Sequence, residues 1–412
     1  MSEMNNKKIY SRRAILAASA AAAGVALVKT TAGQLVHALV PGDKPPADPT
    51  TVQGVPSGKI GTRSSFEQLL KKPSDISART PLQHLVGTIT PSDLHFERHH
   101  AGVPFIDPDR YQLLVHGMVS RPTVFTLSDL KRLPSFSRIA FLECSGNYRT
   151  GKERMTPQEV CGLTSQSEWT GVLLSTLFRE VGIDPRATWF LAEGSDAAKM
   201  TRSIPVAKGI RDGMIAFGQN GEALRPEQGY PARLFLPGWE GNTSVKWIRR
   251  IEVSDQPFMT REETSKYTES IKGGKIRQFS FDMDARSIIT FPAYPVKITK
   301  GWIEIRGIAW SGRGKITKVE ISTDAGKHWA PALLQMPVLD MAHTYFRYIW
   351  KWNGEPTEIR SRAVDDTGYE QPTLDQLVAA RGKEMGGYHL NPVTSWQIKR
   401  DGEVLLKPEK WK

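Results

Sequence analysis

Cys144 stands where an apolar run ending in Phe141-Leu142 passes into Glu143-Cys144-Ser145-Gly146-Asn147-Tyr148-Arg149, so its sulfur falls at a strand end where Ser, Gly and Asn allow a sharp turn. A thiolate in such a place can ligate a soft metal or attack an electrophile. Spacing alone equally allows an inert buried cysteine or a disulfide to Cys161. Upstream, Phe96-Glu97-Arg98-His99-His100 gathers a guanidinium and two imidazoles, groups that bind an oxyanion or, alternatively, zinc or copper. Adjacent residues of an extended segment point to opposite sides, which works against one metal held by both histidines. Downstream, Pro237-Gly238-Trp239-Glu240-Gly241-Asn242-Thr243-Ser244-Val245-Lys246-Trp247 offers amides, hydroxyls and a lysine suited to a phosphate or pyrophosphate. It lacks P-loop and Rossmann spacing, and an ordinary Gly-bearing turn before a strand explains it equally well.

These groups need elements to hold them. From residue 83 to about 253, the apolar runs Tyr111–Val115, Ile139–Leu142, Trp189–Ala192 and Arg233–Leu236 alternate with helical patterns at Leu127–Leu133 and Leu173–Val181. That predicts a mixed α and β domain. From about residue 286, period-two runs at Trp302–Trp310, Thr317–Thr323, Tyr345–Trp352, Glu358–Ala363 and Ser395–Lys399 are separated by turns such as Asp324-Ala325-Gly326 and Asp366-Thr367-Gly368. Strands so spaced, without helices, predict a β-sandwich. The fold class is therefore α+β, with domains expected at 83–285 and 286–412, and an extended Pro/Gly/Ser/Thr-rich arm over 34–82.

The 412 residues, 39% hydrophobic and 24% charged, supply enough apolar surface for real cores and exclude collagen-like and wholly disordered classes. An excess of 55 Lys+Arg over 43 Asp+Glu makes the chain +12, which favours anionic substrates or phosphate-bearing cofactors; nucleic acid is not the expected partner. With two cysteines and no Cys-x-x-Cys-His, covalent c-type haem is excluded from this chain. Residues 1–33 run from basic (Lys7, Lys8, Arg12, Arg13) to apolar (Ala14–Val28) to small, a secretory pattern too short and alanine-rich for a stable membrane span. Ser11-Arg12-Arg13-Ala14-Ile15-Leu16 carries the twin-arginine pattern of export in the folded state, so a periplasmic protein loaded with its cofactor beforehand is expected.

Taken together, Phe96-x-Arg98-His99-His100, Cys144-Ser145-Gly146-Asn147, Glu193-Gly194-x-Asp196, Gly229-Tyr230-Pro231-x-Arg233 and Ser244-Val245-Lys246-Trp247 resemble, in order and approximate spacing, the sulfite oxidase family of molybdopterin enzymes. The resemblance covers about residues 80–400 and implies an immunoglobulin-like dimerisation sandwich at the C-terminus. Leu94-His95-Phe96-Glu97-Arg98-His99-His100-Ala101-Gly102-Val103-Pro104, Pro237–Asn242 and Arg261–Thr268 are similar to the molybdenum-bearing subunits of the sulfane dehydrogenase subgroup, which belong to periplasmic thiosulfate-oxidising Sox systems.

The resemblance implies roles position by position. Cys144 would bind molybdenum beside the dithiolene of one molybdopterin. Phe96, Glu97, Arg98, His99, His100, Asp196, Arg233, Ser244, Val245 and Lys246 match positions that hold the pterin and its phosphate. Gln228 falls where vertebrate relatives have histidine. Arg98 and Arg149 match the arginines of an anion pocket, and Tyr267 matches an active-site tyrosine. A further arginine that sulfite oxidases draw from the C-terminal domain has no counterpart around His389-Leu390-Asn391-Pro392-Val393, which favours sulfur carried on a partner protein over free sulfite. Sulfite dehydrogenase is the alternative, and a non-catalytic secreted anion-binding protein the remoter one. With no haem in the chain, electrons would pass to a separate c-type cytochrome, in a homodimer or hetero-oligomer.

Overall fold

The computed structural model describes residues 61–409 apart from 62, 65, 68 and 75, so the expected signal segment and most of the expected arm lie outside the described residues. Residues 68–412 form one compact unit, to which everything below belongs.

Two five-stranded sheets build its N-terminal half. The first runs in the order Glu222–Ala223, Met214–Gln219, Thr164–Leu173, Ser135–Glu143, with Arg233–Phe235 also paired to Met214–Gln219. Its long hairpin sets Ser135 against Val172 and Glu143 against Thr164, which delivers Glu143 and then Cys144 to one sheet end. The second sheet is ordered Thr123–Thr126, Gln112–Gly117, Ile248–Ser254, Trp189–Gly194, Thr201–Pro205, all antiparallel except the parallel pair of Gln112–Gly117 with Ile248–Ser254. Short helices at Leu127–Arg132 and Leu174–Val181 close the expected helical patterns. The first starts in a capping box between Thr126 and Asp129. Trp169 fills the first sheet's inner face, fully buried, stacked on Phe235 at 4.6 Å and donating Nε1–H to Ala140 O at 3.2 Å. Burial of a ring that size contributes about 3 kcal/mol, and the indole N–H is satisfied as burial requires.

The C-terminal part is a sandwich of two sheets, Arg286–Phe291, Gly301–Trp310, Thr344–Trp352, Leu333–Leu334 against Ala330–Pro331, Ile316–Ser322, Thr357–Asp365, Ser395–Ile398, Val404–Leu406. The five period-two runs are all strands here. One helix, Leu374–Arg381, departs from the all-strand expectation; it opens on a capping box of Thr373 and Gln376, the one local signal that could have announced it.

The two parts share one core. Phe141, Met155, Val160 and Cys161 pack in the same buried cluster as Ile288, Ile308, Trp310, Val319 and Trp396 of the sandwich. Cys161 is therefore a core residue. Both cysteines are free, so the disulfide alternative is not realised. Among the described residues no helix is long and apolar enough to cross a membrane.

Candidate active site

The turn after Glu143 is defined by its own hydrogen bonds: Asn147 N–H reaches Cys144 O at 2.9 Å, and Cys144 N–H reaches Leu163 O at 3.0 Å. Asn147 bridges the turn, donating Nδ2–H to Glu143 Oε1 at 3.0 Å and accepting Leu163 N–H at 2.7 Å. Gly241 lies against the same place, where a side-chain carbon would come within 2.7 Å of Glu143 O, so the 240–244 turn approaches only because residue 241 is glycine. Cys144 emerges partly exposed into a cleft of about 560 Å³, counted out to its mouth. Burial pushes its thiol pKa up, with neighbouring Arg98 pulling the other way.

Residues far apart in sequence converge on this cleft. Phe96, Arg98, His100, Gln228, Arg233, Ser244, Val245, Lys246 and Tyr267 all line it with Cys144; Met200 and Asn242 complete one side. Gln228 donates Nε2–H to Phe96 O at 2.8 Å, tying two of the predicted segments together. Arg233 is fully sequestered, with Nη1 donating to Gln228 O at 3.0 Å and Nη2 to Ser244 O at 2.7 Å, and burial lowers its pKa to about 9. Lys246 Nζ donates to Arg98 O (3.2 Å) and Glu227 O (3.0 Å) and lies 2.8 Å from His99 Nδ1; burial, then Arg233, drives its pKa well down. These two side chains thus shape the cleft wall through the backbone carbonyls they bind.

The adjacent histidines part company as their alternation requires. His99 lies between Lys246 and Glu97, whose Oε2 is 3.0 Å from its Nε2, and Lys71 pairs with the same carboxylate, holding Glu97 down at a pKa of about 2 chiefly through His99. His100 faces the cleft, with Nε2 3.1 Å from the Tyr267 hydroxyl. No group of three or more His, Cys, Asp or Glu able to hold a metal occurs among the described residues. Glu97, His99 and Asp196 stand behind the wall rather than in it; Asp196 Oδ1 accepts Met200 N–H at 3.0 Å and so fixes the turn that presents Met200.

Arg149, like Glu97, His99 and Asp196, does not line this cleft, and it alone of the four lies in another. Its N–H is tied to Val160 O at 3.0 Å, so the chain leaving the Cys144 turn runs back along the Pro157–Cys161 helix, and the Arg149 side chain lines a separate cleft with Arg79. The expected pairing of Arg98 with Arg149 around one anion is corrected accordingly.

A buried polar network missed by the sequence reading lies beside Tyr267. Arg202, on the Thr201–Pro205 strand and 1% exposed, pairs with Glu240 Oε1 at 2.9 Å and Glu263 Oε1 at 2.7 Å, and its guanidinium sits 5.0 Å from the Tyr267 ring centroid. His389 of the C-terminal part comes within 3.1 Å of Glu240 Oε2. Burial opposes both charges, but Arg202 and His389 outweigh it and hold the Glu240 carboxylate below its ordinary value. Glu240 in turn raises His389 above the ordinary imidazole pKa despite burial. His389 N–H also reaches Ser145 O at 2.8 Å, and Tyr388 packs on Tyr267 with centroids 5.4 Å apart. Asn391, in the segment that lacks the family's further arginine, donates to Ala285 O at 2.9 Å. A charged residue within a strand carries no local sign that it will be buried, so nothing in the sequence singled out Arg202, and Glu240 stood only as a member of the 237–247 loop.

The lining fits a molybdenum–molybdopterin group. One cysteine sulfur faces Arg98, Arg233 and Lys246 with no carboxylate in the lining, a donor set suited to a soft metal and an anionic, phosphate-bearing ligand. Asn242 Oδ1, buried and without a partner, supplies a waiting acceptor.

Residues 100–262 match the oxidoreductase molybdopterin-binding domain, and residues 277–395 match the Mo-co oxidoreductase dimerisation domain. The crystal structure of the sulfane dehydrogenase SoxCD from Paracoccus pantotrophus superposes with a TM-score of 0.82 at 42% identity, covering 87% of this chain and 95% of that one. Nitrate reductase [NADH] 1 of Phaseolus vulgaris is 31% identical over 316 residues, 67% of this chain and 35% of its own length. The mitochondrial sulfite oxidase of Drosophila melanogaster is 28% identical over 334 residues, 73% of this chain and 58% of its own. The chain therefore spans about a third and somewhat over half of these two relatives. It belongs to the sulfite oxidase family of molybdopterin oxidoreductases.

Proposed function

We propose that this protein oxidises sulfane sulfur carried on a partner protein, passing electrons to a separate c-type cytochrome in the periplasm. The observation that carries the reading is the composition of the cleft lining. Arg98 stands there without a second arginine from the Cys144 turn or from the C-terminal part, and Tyr267 and His100 supply aromatic and neutral polar surface, with Tyr388 packed on Tyr267. A free sulfite dianion gains most from several fixed cations, whereas a thiol-linked sulfur arm gains contact along such walls. The likeness to the Paracoccus sulfane dehydrogenase supports the same reading.

Cys144 would hold the metal, while Arg98, Gln228, Arg233, Ser244, Val245 and Lys246 would hold the pterin and its phosphate. The bound group supplies two-electron redox chemistry at sulfur. Arg98 orients the anionic end of the substrate, and Tyr267, fixed by His100 and by the Arg202 face, offers one hydroxyl hydrogen bond. Burial raises the Tyr267 phenol pKa, so that hydroxyl remains a donor at neutral pH.

Free sulfite is the second reading, favoured by Arg98 and by the sulfite oxidase relative. Steady-state kinetics of the purified holoprotein with cytochrome c as acceptor decides between them. Turnover with a sulfur-loaded carrier and poor use of sulfite is expected; efficient sulfite oxidation with an inert carrier overturns the proposal in favour of sulfite dehydrogenase.

A further inference from the structure

Behind the Cys144 turn lies a second concavity, larger than the first, with about 1640 Å³ of space counted to its open mouth. One wall is the Lys72–Ser74 and Ser77–Arg79 hairpin. The other is the 148–155 loop with the start of the Pro157–Cys161 helix. Among the described residues four cations line it, Arg79, Arg149, Lys152 and Arg154, against two carboxylates, Glu159 and Glu409.

Both carboxylates already serve other donors: Glu159 Oε2 accepts from Thr156 in the helix cap, and Glu409 Oε2 accepts the Tyr148 hydroxyl at 3.1 Å. Arg154 reaches Glu403 at 3.3 Å. Arg149 and Lys152 have no carboxylate partner among the described residues.

Arg79 carries the second, independent observation. It is 4% exposed, its main chain is pinned by Gln158 Nε2 donating to Arg79 O at 2.7 Å, and its buried Nη1 has no hydrogen-bond partner. A buried donor is normally paired, and Arg79, with this unpaired Nη1, is among the residues that line the cleft. Burial and then the nearby Arg149 pull its pKa down to about 10, with Glu159 among the groups pulling the other way.

We propose that the Arg79–Arg149 cleft is a second oxyanion site, separate from the Cys144 cleft, that takes a tetrahedral inorganic dianion of the sulfate class. Two guanidinium groups give paired N–H donors, Lys152 adds a mobile point charge, and the Thr150 hydroxyl adds a short donor on the same loop. A tetrahedral anion accepts from all these directions at once, which a single carboxylate does not.

The test uses purified holoprotein. Crystals are soaked in graded selenate and the anomalous selenium signal is mapped, while isothermal titration calorimetry with sodium sulfate is run on wild type, Arg149→Ala, Lys152→Ala and Arg98→Gln. The expected result is selenium in the Arg79–Arg149 cleft, with binding that persists in Arg98→Gln and weakens roughly tenfold or more in Arg149→Ala. Arg149 and Lys152 are solvent-facing on a loop, so their variants fold even where an Arg79 variant does not. Selenium confined to the Cys144 cleft, no selenium at either place, or sulfate affinity unchanged in both Arg149→Ala and Lys152→Ala overturns the proposal.

Discussion

Glu143, the residue before the sulfur, is bound through Oε1 to Arg286 Nη1 at 2.7 Å, and both side chains are almost wholly buried. Its other oxygen accepts Trp310 Nε1–H at 2.7 Å. The strand that presents Cys144 is thus fastened to the first two strands of the C-terminal sandwich. Breaking such a pair by removing one partner leaves a buried charge, so Arg286→Met is expected to destabilise the protein by about 3 kcal/mol or more. Urea unfolding with a fixed m-value measures this, and molybdenum content should fall with it.

Cys144→Ser is expected to abolish turnover and molybdenum retention, because a hydroxyl is a harder and weaker ligand than a thiolate. Cys161→Ser, at a site packed in the shared core, should leave activity largely intact and show its effect in stability. Elemental analysis and turnover measured on the same samples separate the two. Equal loss of metal in both variants would contradict the assignment.

Arg98→Gln removes the cation at the cleft mouth and one element of the cofactor wall, so kcat/KM should fall about a hundredfold, with part of the loss appearing as reduced molybdenum content. Tyr267→Phe removes a single hydroxyl contact and should lower kcat by a smaller factor with unfolding unchanged. An Arg98→Gln enzyme with full activity at low substrate would show that this guanidinium does not meet the substrate.

His343 is wholly buried, lies 3.0 Å from Thr164 Oγ1, and has its pKa pushed down to about 3 by burial. The unfolded chain takes up this proton near the ordinary pKa of 6.5, whereas the folded chain does not. Stability contributed by the neutral ring is therefore complete above pH 6.5 and is lost as pH falls towards 3, by at most about 1.4 kcal/mol per pH unit. His343→Gln should flatten the acid limb of a plot of unfolding free energy against pH; an unchanged slope would remove His343 from the acid response.

Particular residues show what the sequence could and could not reveal. The Ser135–Glu143 strand and the Cys144 turn are local features, an apolar run followed by Ser, Gly and Asn, and they are readable where they stand. The convergence of Arg98, Gln228, Arg233 and Lys246 spans some 150 residues of chain, so no local rule finds it; the ordered set of motifs did. Arg149 was misplaced because five residues of separation from Cys144 do not determine on which side of the turn a side chain leaves. The buried pairing of Arg202 with Glu240 went unread because contact between a strand residue and a loop residue 38 positions away is decided by packing. The Leu374–Arg381 helix lacks an apolar stripe and carries its signal in the Thr373 and Gln376 cap alone.

The Tyr388-His389 loop gives the two halves of the chain a shared evolutionary constraint. His389 holds Glu240 and the Ser145 carbonyl, while Tyr388 closes against Gly146, where a side-chain carbon would lie 3.7 Å from its ring. A recombination event that joined this N-terminal half to a relative's sandwich would strand Glu240 beside Arg202 without its imidazole. It would also set a foreign side chain against the glycine of the cysteine turn. Positions 240 and 389 are then coupled, and in descendants of this chain a change at one of them should be accompanied by a change at the other.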